Sequence, residues 1–500
     1  MLPALIVRYR SSTPPRRGER GVTMALVAVS MTAIIAMAAL SIDVGTLYEG
    51  KAEAQRSADL AALAAARTLS ISGITTDPNN TSSTWNPVCG GAGSTASLAA
   101  ISVAQQNLVG GAAPSTVTVY YGTSGGVGTD QDCTSAGAGF GINPVVSVYV
   151  QQARLPTFFS RIFSLITNGT ASNSGVSASA AAEAFNPSDA GSYGVQPRCV
   201  KPWLVPNLDP QHWTGGGPNC GGAGGGGCQV LVNTGAASGS IQSPGLFTVP
   251  GNSGGVIGEI FWLIPDCTPG ATCSKRSGLL PMANYSTIID PNPLQNLEYL
   301  PGAAPASSVA VPAAASGSCS LATSQYAQAI TGCDQSTQYQ CGVSWSSAAT
   351  PNVVDLTQNP ITDTSNGGQC LINQGTPTST ALAQLGQDDL SPFAEQPAYP
   401  FQIQAGTANP LLNNGLTSGS VITASTSIVS LPIFNQVGAT IGNNSITPVT
   451  IVGFLQVFIN FVDGAGNMNV TVMNITGCGT SPGTVIGGTS PVPIRLITPP

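Results

Sequence analysis

VTMALVAVSMTAIIAMAALSI, residues 22–42, runs for 21 residues without a charge. As a helix rising 1.5 Å per residue it is ~31 Å long, about the thickness of a bilayer's hydrocarbon core. Five arginines precede it, Arg8, Arg10, Arg16, Arg17 and Arg20, together with Pro14 and Pro15. Arginine on that flank predicts residues 1–21 as a cytoplasmic basic tail and 22–42 as a transmembrane helix. Everything after Asp43 is then expected outside the cytoplasm. Charge divides at the same boundary: residues 1–42 carry +4 and the remainder −11.

The helical pattern continues past the apolar run. Val44, Leu47, Tyr48, Ala54, Ala58, Ala61, Ala62 and Ala65 recur at steps of three and four, which is one helix face interrupted by Lys51. Glu53 with Arg56, and Arg56 with Asp59, are opposite charges at i,i+3. The alanine-rich stretch through Arg67 favours helix, and Gly73 and Pro78 are expected to end it. An amphipathic stem on a membrane helix is the expectation.

Two other readings of the N-terminus fit less well. Ala36-Met37-Ala38 matches a signal-peptidase site, but the apolar run continues through Ala39, Leu40 and Ile42 with no polar region before that site. A type IV prepilin leader has a Gly before the cut and a Glu five residues after it. Here Gly21 is followed at that position by Leu26, and Gly18 by Thr23. An uncleaved anchor fits best.

Composition narrows the rest. Charged residues are 7% of the chain, against 60 Gly and 38 Pro, while the apolar fraction of 42% is enough for a packed core. Lysine occurs only at Lys51, Lys201 and Lys275. Beyond the N-terminus no basic patch can neutralise a phosphate backbone, so no nucleic-acid partner is expected. Twelve cysteines lie between Cys89 and Cys478, with one histidine, His212, and no C-x-x-C. A zinc site is a poor reading of that set, and disulfides in an oxidising compartment a better one. The expected local pairs are Cys220 with Cys228, Cys267 with Cys273, and Cys333 with Cys341, although sequence does not fix connectivity.

Arg20-Gly21, the apolar segment, Ile42-Asp43-Val44-Gly45-Thr46-Leu47-Tyr48 and Gln55-Arg56-Ser57-Ala58-Asp59-Leu60-Ala61-Ala62-Leu63-Ala64 stand in this order. That series resembles the TadE/TadG-like Flp pilus-assembly domain. Its hallmark is an Arg-Gly start, a membrane helix, an Asp-x-Gly-x-x-Tyr step and a Gln-x-x-Ala-Asp-x-Ala-Ala-Leu-Ala helix. The resemblance extends weakly to residue 185. A second helix is expected over 97–109, and strands over 117–121, 145–150 and 176–185. Leu155-Pro156-Thr157-Phe158-Phe159 is similar to a Pro-Thr-Phe-Phe helix common in the family. Residues 199–207 are similar to the start of the second part of TadG-related proteins.

The expected fold is therefore α+β. A transmembrane helix continues into an amphipathic, pilin-like stem with a small antiparallel sheet (43–185), and a β-rich, disulfide-containing body follows (193–500). In the body, short apolar runs at 228–232, 256–264, 421–434, 449–462, 470–475 and 492–497 alternate with turn clusters, which suggests a sandwich. Residues 303–318, rich in Ala, Pro and Ser, read as an internal linker. The run 451–462 is too short for a membrane span and carries Gln456 and Asn460, so it reads as a buried strand.

Catalysis finds no support in the residues. A lone His212 cannot be matched to a nucleophile elbow, and Gly-rich 214–227 lacks the Lys-Ser/Thr of a P-loop. Some TadG-like proteins carry a cation-dependent adhesion domain with Asp-x-Ser-x-Ser, which Asp334-Gln335-Ser336-Thr337-Gln338 does not complete. Asp388-Asp389 and Asp463-Gly464-Ala465-Gly466-Asn467 are weak calcium patterns, better read as turns.

The resemblance implies a non-enzymatic, membrane-anchored component of a Tad/Flp-type pilus-assembly or tight-adherence system. It implies an inner-membrane location in a bacterium, with other Tad components or pilin-like subunits as partners and no cofactor. The residues it marks are structural: Asp43, Gly45 and Tyr48 at the membrane exit, and Gln55, Ala58, Asp59, Ala62 and Leu63 on the stem. The alternative is a secreted adhesin or carbohydrate-binding β protein, exported by a cleaved signal and stacking sugars on Trp203, Trp213, Trp262 and Trp345.

Overall fold

The apolar run and the alanine-rich stretch after it form one uninterrupted helix, α1 (Glu19–Ser72), in the computed structural model of the chain. The structure describes residues 19–77, 85–123, 130–137, 139–156, 175–190, 194–210, 229–232, 239–242, 244–245, 255–265, 296–312, 317–337, 339–341, 352–377, 382–391, 401–436, 446–478 and 485–498. At 54 residues, α1 is ~81 Å long. It ends at Gly73, whose φ of +79° suits glycine, and a short 3-10 turn (Ile74–Thr76) follows. Space also demands glycine there, since a Cβ would lie 2.6 Å from the Ile257 side chain and 2.9 Å from the Met473 carbonyl.

The C-terminal half of α1 lies on a four-stranded antiparallel sheet. Strands β1 (Thr116–Thr123), β2 (Pro144–Gln152) and β3 (Val176–Ala184) follow one another in that sheet. A second helix, α2 (Thr95–Gln106), packs beside α1. Small residues allow close approach: Ala58, Ala62 and Ala65 of α1 meet Ala178, Ala180 and Ala182, the inward alternate positions of β3, and Ala96, Ala100 and Ala104 of α2. The Tyr121 ring seals this core against Phe140, with its hydroxyl 2.8 Å from that of Ser97.

The rest of the chain adds β4 (Gly194–Pro197), β5 (Trp203–Pro206), β6 (Ile260–Pro265) and β7 (Asn296–Pro301). Helix α3 (Gln325–Thr331), β8 (Val353–Asp355) and helix α4 (Pro360–Leu371) come next. Then follow β9 (Asp389–Ser391), β10 (Gln402–Gln404), β11 (Val421–Ile422), β12 (Ile428–Phe434), β13 (Ile446–Pro448), β14 (Ile451–Val462), β15 (Met468–Gly477), β16 (Val485–Gly488) and β17 (Ile494–Ile497). A closed barrel runs β12-β14-β15-β6-β7-β5 and is completed by parallel pairing of β5 with β12. The expected β-rich body is present, but as a barrel rather than a sandwich. Closure removes the open edges that two stacked sheets would leave. Its core joins Trp203, Leu263, Tyr299, Leu431, Val457 and Val470 to Tyr326 and Ile330 of α3.

Two further features depart from the sequence expectations. Residues 492–497, assigned to the body, return to the first sheet, where β17 pairs with Ala181–Ala184 of β3 and Arg495 donates to Glu183. Residues 229–232 form no named strand, only a bridge from Leu231 to Ile241. The 451–462 run is strand β14 as predicted, buried on both faces. Its polar Asn460 is satisfied there by Asn469 at 2.9 Å and Thr471 at 2.8 Å.

Hydrogen bonds fasten the barrel to the stem. Asn474 of β15 donates to the Ser70 carbonyl and Asn186, just after β3, donates to Ile475 O of β15 at 2.7 Å, while Ser70 donates to Val492 O at 2.8 Å, just before β17. All are buried, so breaking one strands a polar group away from water.

Candidate functional site: the stem helix and its exposed apolar half

From Thr23 onward α1 is long and apolar enough to cross a membrane; its most apolar 18-residue window has a mean hydropathy of 2.3, and none of that window is buried. Leu26, Ile34, Ile35 and Leu40 are all more than 60% exposed, a density of bare apolar surface that water does not favour. The few hydroxyls are satisfied within the helix. Ser30 donates to Val27 O at 3.0 Å, Thr32 to Ala28 O at 2.8 Å and Ser41 to Met37 O at 3.0 Å. Such back-bonding removes the cost of placing them in an apolar medium.

Below this stretch the three expected exit residues have different surroundings. Asp43 is buried, on one stripe with buried Ala39 and Gly50. Gly45 faces open space, with nothing within 4 Å of where a Cβ would be. Tyr48 is 74% exposed. The tight glycine is Gly50, which the sequence did not single out: its Cβ would sit 2.7 Å from Leu155.

On the stem, Ala58 and Ala62 are fully buried and Leu63 packs partly against the same core. Gln55 donates to Asp59 Oδ1 at 2.8 Å and to the Ser179 carbonyl of β3 at 3.1 Å. One turn earlier Lys51 donates to the Ser177 carbonyl. Among the described residues β17 pairs with only Ala181–Ala184 on that side of β3, and these two side chains take the Ser177 and Ser179 carbonyls beyond it. The expected i,i+3 ion pairs do not form. Glu53 instead accepts the Gly110 N–H at 2.6 Å, Asp59 turns to Gln55, and Arg56 is exposed. The Ala58 and Ala62 face packs on the chain's own sheet and α2. What remains outward is a stripe of Val44, Tyr48, Ala52, Arg56 and Leu60.

Other candidates resolve into structure. Asp334 Oδ1 accepts from Ser336 N at 2.8 Å and Thr337 N at 3.3 Å. Burial pushes its carboxyl up, but these bonds and the hydroxyl of Ser336 prevail and hold it below the ordinary value. Asp388 accepts from Gly406 N, Asn409 and Ser425, and Asp463 closes the β14–β15 turn on Ala465 and Asn467. Among the described residues no group of His, Cys, Asp and Glu could hold a metal ion. Trp203 is buried, donating to Thr364 at 2.9 Å, and Trp262 is buried against Phe461, so neither offers a face to a sugar. His212, Trp213, Trp345, residues 157–163 and the Gly-rich 214–227 lie outside the described residues.

The described cysteines pair as Cys89–Cys133, Cys199–Cys333, Cys319–Cys370 and Cys341–Cys478, with Cα separations of 5.4, 4.4, 4.7 and 5.2 Å. The expected Cys333–Cys341 pair is therefore corrected. The Asp334 turn brings Cys333 back to Cys199, whose N–H donates to Asp334 O, while Cys341 bridges to Ile451 beside the end of β15. Cys220, Cys228, Cys267 and Cys273 lie outside the described residues.

No curated protein and no solved structure matches the chain. One family model does, over residues 21–68, the segment that spans the exposed apolar half of α1 and the buried stem: it is Tad, described as "Putative Flp pilus-assembly TadE/G-like".

Proposed function

We propose that the chain is a non-enzymatic, membrane-anchored component of a Tad/Flp-type pilus-assembly or tight-adherence system. Residues 1–21 form the cytoplasmic tail, 22–42 cross the inner membrane of a bacterium, and 43–185 and 193–500 stand on the outer side. The observation that carries this is the coincidence of the matched segment, 21–68, with a helix whose most apolar 18-residue window is unburied and whose stem buries one alanine-lined face. Arginine before the span and cysteine pairs only after it fit the same orientation.

The partner-facing surface in this reading is the bare helix within the membrane, continued outside by Val44, Tyr48 and Leu60. Partners are other Tad components or pilin-like subunits. A photo-crosslinking amino acid at Tyr48, in cells assembling their pili, tests it. A crosslink to a membrane or pilin-like Tad protein is expected, with none from a buried control at Ala62. No crosslink from 48, together with normal piliation in cells lacking the chain, overturns it.

A further inference from the structure

The four bridges among the described residues differ in what can reach them. Cys89, Cys133, Cys319 and Cys370 are all buried. Cys341 and Cys478 are half-buried. Cys199 is half-buried too, but its partner Cys333 is exposed. Both line an open cleft of about 500 Å³ between the end of the stem and the barrel, with Arg67 of α1 on one wall and Lys201 on the barrel side. A thiol therefore has a path to this bridge that it lacks to the pairs in the core.

The backbone sets this bridge apart as well. Among the described residues only Cys199, at +59°, and Asn373 combine a positive φ with a side chain. Asparagine visits that region readily and cysteine does not, so Cys199 sits in a strained conformation. Bonds other than the bridge also hold it there. The Cys199 N–H donates to Asp334 O at 3.2 Å, and Lys201 Nζ donates to Gly332 O at 2.6 Å. They keep residues 199–201 against 332–334 when the sulfurs part, so the two thiols stay within reach of each other. Exposure and strain favour opening, and these bonds favour closing again.

We propose that Cys199–Cys333 is a reversible thiol–disulfide exchange site, which a dithiol reductant opens by attack on Cys333. One thiolate of the dithiol attacks the exposed Cys333 Sγ. The bond to Cys199 breaks, and Cys199 leaves with the electron pair as a thiolate that takes up a proton. The second thiolate of the dithiol then attacks its own sulfur in the mixed disulfide. That closes a disulfide in the reductant and releases Cys333, which is protonated in turn. Two electrons pass from the dithiol to the bridge, and an oxidised dithiol reverses both steps.

Full-length protein in detergent at about pH 8, equilibrated with graded ratios of reduced to oxidised dithiothreitol, quenched in acid, alkylated and mapped by mass spectrometry, tests it. Positions 199 and 333 should be alkylated at a ratio about tenfold below the one that opens Cys89–Cys133, Cys319–Cys370 or Cys341–Cys478. The near-ultraviolet circular dichroism of the folded barrel should be kept throughout that step. Oxidised dithiothreitol added back should restore the 199–333 link. With glutathione, a monothiol, the trapped mixed disulfide should sit on Cys333. A 199–333 bridge that opens no earlier than another of the three, opens only with loss of the folded signal, fails to re-form, or traps glutathione on Cys199 overturns the proposal.

Discussion

Gln55 of the stem donates to the Ser179 carbonyl of β3 at 3.1 Å while also holding Asp59 at 2.8 Å. One amide therefore ties the helix leaving the membrane segment to the sheet it rests on. Gln55→Ala should destabilise the full-length chain in detergent by about 1 kcal/mol, because the carbonyl is only partly screened from water. Gln55→Glu should cost more, since a carboxylate then faces both that carbonyl and Asp59. Urea unfolding of the two variants checks the order; equal or reversed effects would contradict it.

Gly73 and Gly45 separate a structural glycine from one that the chain's own fold does not need. Gly73→Ala should lose ~1–3 kcal/mol, from its φ of +79° and the contacts with Ile257 and the Met473 carbonyl. Gly45→Ala should leave the melting temperature unchanged or slightly raised, as nothing lies within 4 Å and alanine favours the helix interior. If Gly45→Ala nevertheless blocks assembly, a partner helix approaches there.

The cysteine pattern is directly checkable. Non-reducing peptide mapping should recover 89 with 133, 199 with 333, 319 with 370 and 341 with 478. A peptide linking 333 to 341 would contradict the barrel's connectivity.

Burial holds the Lys201 ammonium down to about 7 against an ordinary 10.5, with Asp334 offsetting part of the shift. Between those values the unfolded chain carries a proton that the folded chain lacks, so stability rises with pH there; below about 7 the buried charge is a full penalty. Tyr299 and Tyr326, raised by burial, act in the opposite sense only above pH ~10. Melting temperature should therefore rise from pH 7 to about 9.5, and Lys201→Met should flatten that rise. An unchanged slope in the variant would contradict the assignment.

How much was legible in the sequence depended on the range of the interaction. The charge-free run and the Ala54, Ala58, Ala61, Ala62, Ala65 periodicity are local and predict the helix and its buried alanine face, but Val44 and Tyr48, read onto the same face, are exposed. They do not say what covers that face, because the partners, Ala178, Ala180 and Ala182, are more than a hundred residues away. Barrel closure rests on Val205 meeting Ile433, and β17 on Ile494 meeting Ala184, pairings with no local signature. The same distance defeats cysteine arithmetic: Cys333 lies 134 residues from its true partner and only eight from its sequence neighbour. Helix α4, PITDTSNGGQCL, has two glycines and an Asn inside it, so tertiary packing overrides weak propensity. Arg67 was visible as one of few charges, but only the fold puts it across a cleft from Lys201.

The most direct test expresses the full chain in a diderm bacterium and measures the intact mass of the carbonate-resistant membrane fraction, before and after protease treatment of spheroplasts. An uncleaved integral chain whose residues beyond 43 are lost to external protease is the predicted result. A soluble product beginning at Ala39, or a body protected from external protease, would contradict the anchored, outward-facing account.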